Sequence, residues 1–381
     1  MVQSLTIAAF AALTSVAAAA RCQNLTIPIS VSARNGVFNQ TNPTNAIEAT
    51  NFALRMSRQG HNYTQESLTG YNTVSGNYQI AATYCEPDAG PGKVVQVLTH
   101  GIGFDRSYWD FSYNNYNYSY VREAVDHYGY STFAFDRLGI GMSTHFTDPI
   151  NEGQIWIEVA ALRYLTQGLR ASSIPGVSAK FQKIVHVGHS FGSSQTYALT
   201  AADPSISDGL VLTGFSQNGS FASQFILGSN FIIANTVPAL SSYVTGYLAP
   251  QSAVGVQIDF FAPNSFDPQL LQVAYQNGQP VTPGEIMTLV GASARPNPVA
   301  KPVLVITGEH DTPYCGGDCL ATGNASLPSI PAASRMFLPN AAPFQAFIVP
   351  GSGHGLNFEY SHPTTYGTIL NFLAQNGLAA K

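Results

Sequence analysis

Short apolar, β-branched runs alternate with helical patterns along most of the chain. The runs predict strands at residues 77–86, 93–99, 130–136, 181–187, 209–213, 301–307 and 346–349. Helices are predicted near 151–170, directly after Ser190 and near 364–374. Runs as continuously apolar as 93–99 are typical of strands buried on both faces. Strands that alternate with helices favour right-handed crossovers, so we predict an α/β fold, with a mostly parallel central sheet and helices on both faces.

Residues 217–300 interrupt this alternation, and such a stretch is too long for a loop in a compact domain. The stretch is rich in aromatic residues but contains only four charged ones, Asp259, Asp267, Glu285 and Arg295. Interruptions by Asn, Ser, Gly and Pro exclude a membrane span. We therefore predict an inserted helical cap at 217–300, on a core made of 21–216 and 301–381. The region up to about Tyr71 gives no clear prediction.

The first 20 residues predict a secretory signal peptide. They contain no charged side chain, and an apolar or small-residue run ends in Ala18-Ala19-Ala20 before Arg21. This pattern is typical of a cleavable signal and is too short for a membrane anchor; the alternative is a buried first helix. Six N-x-S/T sequons also favour secretion and predict glycosylation. They lie at Asn24, Asn39, Asn62, Asn117, Asn218 and Asn324.

Four cysteines remain after the predicted signal, and four cysteines allow three pairings. Cys315 and Cys319 form the shortest loop, which leaves Cys22 with Cys85. A four-cysteine zinc site is the alternative, but it requires close pairs on both sides, and Cys22 is far from Cys85. We predict two disulfides and no metal.

The net charge of the chain restricts the kinds of molecule that the protein is expected to bind. The 381 residues carry a net charge of −5 with only 16 Lys and Arg, so there is no basic surface for nucleic acid or an anionic membrane. Hydrophobic residues make up 45% and charged residues 10%. A neutral, apolar small molecule is therefore the expected substrate. The composition leaves the oligomeric state open.

A Gly-His-Ser-Phe-Gly pattern at 188–192 follows a predicted strand and precedes a predicted helix. A tight strand-to-helix turn requires small flanking residues and projects the Ser190 hydroxyl at the positive end of the helix dipole. This context predicts Ser190 as a nucleophile.

A second motif, His-Gly-Ile-Gly at 100–103, follows an earlier predicted strand. A tetrahedral oxyanion needs two converging N–H donors, one from the residue after the nucleophile and one from such a loop. These donors are predicted at Phe191 and Ile102. The alternative is an ordinary glycine turn.

The base and the acid are expected after the last two strands. His354 lies in a Gly-rich loop after the strand at 346–349, where an imidazole can reach the serine. Asp311 follows the strand at 301–307 and is the predicted acid, with Glu309 second and Asp318 third.

These motifs, together with Phe135–Ser143, a Gly-rich turn, resemble the α/β-hydrolase superfamily from about residue 77 to the C-terminus. Closer still, the chain resembles secreted, fungal-type members with an apolar cap. The resemblance implies a triad in the chain order Ser190, Asp311, His354, an oxyanion hole with Ile102 and Phe191, and a cap that closes the pocket. The pair Gly139 and Gly141 lacks the third glycine of a dinucleotide site.

The expected reaction is hydrolysis of an apolar carboxylic ester or lactone through an acyl-enzyme, without a cofactor or metal. Three alternatives remain. They are a lipase that acts on lipid aggregates, an epoxide-type or metabolite-processing hydrolase on the same fold, and a non-catalytic ligand-binding protein. An epoxide hydrolase usually has Asp at the nucleophile position, which argues against that alternative.

Overall fold

A computed structural model describes residues 20–381, so the predicted signal peptide lies outside the described residues except for Ala20. The strands of this part of the chain are β1 (Arg21–Phe38), β2 (Leu68–Glu86), β3 (Val94–Thr99), β4 (Ser131–Phe135), β5 (Lys183–His189), β6 (Gly209–Thr213), β7 (Phe231–Ile233), β8 (Leu248–Pro250), β9 (Val303–Gly308) and β10 (Phe344–Val349). Eight of them form one sheet in the order β1-β2-β4-β3-β5-β6-β9-β10, parallel from β4 to β10. The predicted α/β-hydrolase architecture is confirmed.

Helices connect the strands and cover the sheet. They are α1 (Ala46–Met56), α2 (Tyr63–Ser67), α3 (Tyr113–Tyr116), α4 (Tyr120–Arg122), α5 (Ile155–Arg170), α6 (Phe191–Ala202), α7 (Ala222–Gly228), α8 (Ala253–Phe260), α9 (Pro268–Gln276), α10 (Pro283–Thr288), α11 (Thr312–Cys315) and α12 (His362–Gln375). Strand β4 lies on one side of β3 in the sheet, and β5, the next strand along the chain, lies on the other side of β3. Right-handed crossovers in opposite directions put α4 and α5 on opposite faces.

The N-terminal region forms a structure that the sequence pattern did not predict. Strand β1 pairs antiparallel with β2 along its whole length, from Arg21 opposite Glu86 to Phe38 opposite Leu68. Strand β1 is the edge of the sheet, where a proline such as Pro28 is tolerated and an outer polar face meets water. The strand predicted at 77–86 is therefore only the second half of a longer one.

The segment 217–300 contains α7 to α10 and several short 3₁₀ turns, and it lies in the chain between β6 and β9, which are neighbours in the sheet. It also contains β7 and β8, a two-stranded antiparallel ladder of three residues per strand that was not predicted. We call this segment the insertion. No helix within residues 20–381 is long and apolar enough to cross a bilayer.

A buried group of charges joins the insertion to the core. The Arg137 guanidinium, which follows β4, forms ion pairs with Glu158 on α5 and Glu285 on α10. All three side chains are almost completely buried. Glu285 also closes a capping box with Thr282, which fixes the start of α10. This group of charges therefore links the insertion to α5 and to the residue that follows β4.

Both predicted cysteine pairs are at disulfide distance. Cys22 and Cys85 face each other in the β1–β2 register with sulfurs 2.07 Å apart. Cys315 and Cys319 are 2.01 Å apart and close the short loop that follows Asp311. All four cysteines are paired within the described residues, so none is available as a zinc ligand.

Candidate active site

Ser190 occupies a strained turn between β5 and α6. Its φ of 56° and ψ of −117° lie outside the conformations that a side-chain-bearing residue prefers. Neighbouring backbone approaches closely, because a Cβ at Gly192 would lie 2.2 Å from the Thr99 carbonyl oxygen. A Cβ at Gly188 would lie 2.5 Å from the Gly192 oxygen. Both positions therefore require glycine, as the motif predicted.

A continuous hydrogen-bonded chain connects Ser190, His354 and Asp311. His354 lies in the loop after β10, and its Nε2 is 2.8 Å from the Ser190 Oγ. The Nδ1 atom of the same ring is 2.8 Å from Asp311 Oδ2. The His354 and Asp311 side chains are almost fully buried, whereas Ser190 is partly accessible. With Asp311 as acceptor, His354 carries its proton on Nδ1 and presents Nε2 as a base.

Local bonds fix the orientation of Asp311. The Thr307 hydroxyl donates to Oδ2, and the Tyr314 N–H donates to Oδ1 at the start of α11. The two lower-ranked candidates have other roles: Glu309 accepts from the Gly351 N–H, and Asp318 accepts from the Leu320 N–H. Neither carboxylate contacts His354, so the structure brings Asp311 to the imidazole.

The loop at 100–103 passes directly beside Ser190. A Cβ at Gly101 would lie 2.9 Å from the Ser190 Cβ, so only glycine allows this approach. Within residues 20–381, neither the Ile102 N–H nor the Phe191 N–H donates to a protein acceptor. Two unpaired donors beside a nucleophile are the arrangement that an oxyanion requires.

Two other buried histidines support this arrangement and do not compete as bases. His100 Nε2 accepts from the Arg137 N–H, and its Nδ1 contacts the Gly101 carbonyl, which secures the loop. His189 stacks on Tyr108 and contacts Thr213 through Nδ1. Burial lowers the pKa of both imidazoles well below the usual value, and charged neighbours lower it further. Both rings therefore stay neutral.

Glu359 is a positioning residue that sequence reasoning missed. Its buried carboxylate accepts from the Ser352 hydroxyl and from the Gly353 N–H, in the loop that carries His354. The other oxygen accepts from the Ala262 N–H in the insertion at 2.6 Å. One carboxylate thus holds the histidine loop and the insertion together. The only sequence signal is an acidic residue five positions after the histidine, which predicts none of these contacts.

We expect Glu359→Gln to lower kcat about tenfold with little change in KM, because an amide has one acceptor oxygen in place of two. Burial raises the pKa of Glu359 to about 7 against the opposing hydrogen bonds. The acid limb of the wild-type pH profile should therefore be steeper than that of the variant, because Glu359 takes up a proton there and glutamine cannot. An unchanged slope in the variant would contradict this role.

The stability of the fold should depend on pH in the direction opposite to that of activity: the contribution of Glu359 to stability decreases as the pH rises. A carboxyl whose pKa is raised from 4.5 to about 7 binds its proton more tightly in the folded chain than in the unfolded one. Its contribution to the free energy of unfolding is therefore complete below pH 4.5 and is lost as the pH rises through 7. Chemical denaturation of wild type and Glu359→Gln across this range measures the difference.

A cavity opens at Ser190 between the core and the insertion, and it measures ≈ 530 Å³ including its open mouth. Its wall includes Ile102, Tyr314 and, from the insertion, Phe225 and Leu289. No charged side chain lines it; its polar groups are hydroxyls and amides, including those of Ser194 and Gln217. The site therefore suits a neutral molecule.

The fold and this geometry define a hydrolase-type site, and comparison with known proteins agrees. Residues 96–366 match the Alpha/beta hydrolase family, and the chain belongs to that family. No curated protein matches the chain.

Solved structures show the same fold at low identity. A thermophilic esterase from Thermogutta terrifontis is 17% identical, with a TM-score of 0.52 over 79% of this chain and 94% of that chain. A bromoperoxidase from Bacillus anthracis is 16% identical, with a TM-score of 0.51 over 78% and 96%. A monoacylglycerol lipase from Paleococcus ferrophilus is 14% identical, with a TM-score of 0.50 over 75% and 96%. These likenesses show the fold alone.

Proposed function

We propose that this protein is a secreted serine hydrolase that cleaves an apolar carboxylic ester or lactone. The observation that best supports this proposal is the chain of two 2.8 Å contacts from Ser190 through His354 to Asp311. Such a chain activates a hydroxyl that is otherwise a weak nucleophile. Residues 217–300 act as a cap over the site in this proposal.

In the first half-reaction, the Ser190 Oγ attacks the carbonyl carbon while His354 Nε2 takes its proton. The N–H groups of Ile102 and Phe191 stabilise the oxyanion of the tetrahedral intermediate. The bond to the leaving alcohol then breaks, and His354 returns the proton to that alcohol. Asp311 stabilises the imidazolium that forms in between.

In the second half-reaction, water attacks the acyl-enzyme and gives its proton to His354 Nε2. The carbonyl–Oγ bond breaks, and the proton returns to Ser190. The carboxylic acid leaves. The proton that Ser190 loses to the alcohol is replaced by one from water, so the enzyme is regenerated and water is the only other reactant.

The substrate class follows from the site lining. A cavity without charged side chains binds a neutral ester better than a sugar phosphate or a charged peptide. A lactone is the cyclic form of the same reactant, and its single product would retain the alcohol.

Secretion is supported by the two disulfides, which persist in oxidising compartments, and by the exposure of most sequons. Five of the six sequon asparagines are exposed: Asn24, Asn39, Asn62, Asn117 and Asn324. Asn218 is half-buried and lines the Ser190 cavity. We expect glycans at exposed positions and none at Asn218, where a glycan would block the site.

The lipase alternative has one observation in its favour. Leu227, Val254 and Ile258 of the insertion are about half exposed or more, at 50%, 63% and 48%. Exposed apolar side chains near a site can adsorb to a lipid surface. An aggregate-dependent rate would move the proposal from esterase to lipase.

The proposed function is tested with a fluorophosphonate probe and an ester panel on the protein purified from a secreting host. We expect stoichiometric labelling that peptide mapping places on Ser190, and hydrolysis of soluble p-nitrophenyl esters. Emulsified triacylglycerol should be cleaved no faster than the soluble esters. Absence of labelling together with tight ester binding would instead indicate a non-catalytic ligand-binding protein.

A further inference from the structure

A second cavity lies on the other side of the Ile102 loop. It occupies ≈ 850 Å³ including its open mouth, between Gly103 and Phe104 of the core and several turns of the insertion. Its wall is mainly apolar, with Val237, Leu240 and Val256 among its members, and no charged side chain lines it. It shares no lining residue with the Ser190 cavity.

Two of the three polar side chains at this second cavity have partners, and the third, Gln276, is exposed to solvent. Gln279 Oε1 accepts from the Tyr243 hydroxyl at 3.0 Å, and the Tyr275 hydroxyl donates to the Gln251 carbonyl at 3.0 Å. A polar ligand would therefore find few free groups here. A hydrocarbon group, in contrast, gains from every apolar surface that it covers.

One aromatic ring separates this cavity from the catalytic histidine. The Phe260 ring lines the second cavity and stacks on the His354 ring, with centroids 5.6 Å apart. It also meets Phe104 at 4.8 Å and, edge to face, Phe225 at 6.3 Å, and Phe225 lines the Ser190 cavity. The Phe260 carbonyl accepts from the Gly355 N–H at 2.6 Å, which fixes the backbone. A movement that opens the cavity at Phe260 would therefore be a rotation of its buried ring and not a shift of its backbone.

We infer that the second cavity is a subsite for a hydrocarbon arm of the substrate and that the Phe260 ring controls access to it. This inference rests on the proposed ester hydrolysis. The cavity begins at Gly103, one residue after the Ile102 N–H that would bind the oxyanion. The Phe260 ring packs against Gly103, where a Cβ would lie 3.4 Å from the ring, so in this proposal one substituent of a carbonyl at Ser190 is directed at Phe260. Rotation of this ring joins the two cavities and admits a chain that the Ser190 cavity alone does not hold.

Three variants test the inference. Ala239→Trp fills the second cavity from an exposed position on its wall, and Phe260→Ala removes the ring that controls access to it. Ala89→Trp, in an exposed turn that lines neither cavity, is the matched control. The readout is the ratio of kcat/KM for a ten-carbon chain to that for a two-carbon chain. It is measured in one ester series that varies the acyl chain and in another that varies the alcohol.

We expect Ala239→Trp to lower this ratio at least tenfold in one of the two series, since each buried methylene contributes about fourfold. The series in which the ratio falls shows whether the acyl chain or the alcohol chain enters the second cavity. Phe260→Ala should raise the same ratio, and adding Ala239→Trp to it should cancel the gain. If Ala239→Trp and Ala89→Trp give equal ratios in both series, the inference is wrong, whatever Phe260→Ala does to folding.

A binding measurement separates this inference from the proposed chemistry. Calorimetric titration of Ser190→Ala with methyl octanoate and with octyl acetate requires no turnover. We expect the affinity for one of them to fall at least tenfold when Ala239→Trp is added. If wild type cleaves no ester but this loss is seen, the proposed function fails and the subsite stands. If esters are cleaved and neither affinity changes, the subsite fails alone.

Discussion

Ser190→Ala should lower kcat for ester hydrolysis by about 10⁴-fold or more while leaving the fold intact, because in the proposed mechanism the hydroxyl forms the covalent bond to the acyl group. The turn tolerates alanine sterically, since the substitution only removes the Oγ. Purified variant and wild type are compared on one soluble ester, with circular dichroism and melting temperature as checks of folding.

Ser205→Ala is the matched control, because this serine is exposed and its hydroxyl bonds only to the nearby Asp203. It should keep the wild-type rate. His354→Ala should be as damaging as Ser190→Ala, and the double variant should lose little more, because the two side chains act as a unit. A Ser190→Ala enzyme with more than a tenth of the wild-type rate would overturn the assignment of the nucleophile.

Asp311→Asn should lower kcat by about 10³- to 10⁴-fold, since the imidazole loses both its orienting acceptor and the charge that stabilises the imidazolium. Asparagine is as good an N-cap as aspartate, so α11 should still begin at the same place. The change therefore removes the charge and keeps the local structure. Steady-state kinetics on the same ester measure the effect.

Glu309→Gln is the matched control for Asp311→Asn. Both substitutions convert a carboxylate to an amide, two positions apart, but Glu309 is directed at the Gly351 N–H and away from His354. Its effect should be less than about threefold, because the hydrogen bond that it weakens is solvent-exposed and does not reach His354. A larger loss in Glu309→Gln than in Asp311→Asn would move the acid to Glu309.

The central sheet was predictable because its strands are buried on both faces. Strand β3 is buried at all six positions, which leaves a continuous apolar run as its sequence signature. The site was predictable for a related reason: Gly188, Gly192 and Gly101 stand where backbone passes too close for a Cβ, and such glycines form short local motifs.

What the sequence did not predict depends on partners distant in the chain. Strand β1 has Asn, Ser and Thr at exposed positions, and its pairing with β2 reaches across α1 and α2. Glu359 has no local motif that reports its bonds to the histidine loop and to Ala262. Strands β7 and β8 are too short for a period-two pattern to be recognised.

The ion pairs of Arg137 have a consequence for how such insertions are exchanged by recombination. A chimaera that replaced 217–300 with the corresponding segment of another family member would remove Glu285 but keep Arg137 and Glu158. Arg137 would keep its ion pair with Glu158 but lose one buried charge-assisted hydrogen bond, which costs about 1.5 to 3 kcal/mol, a substantial part of the stability of an ordinary domain. The insertion is therefore not a freely transferable module: a functional transplant must carry an acidic residue to the same position or change the arginine with it.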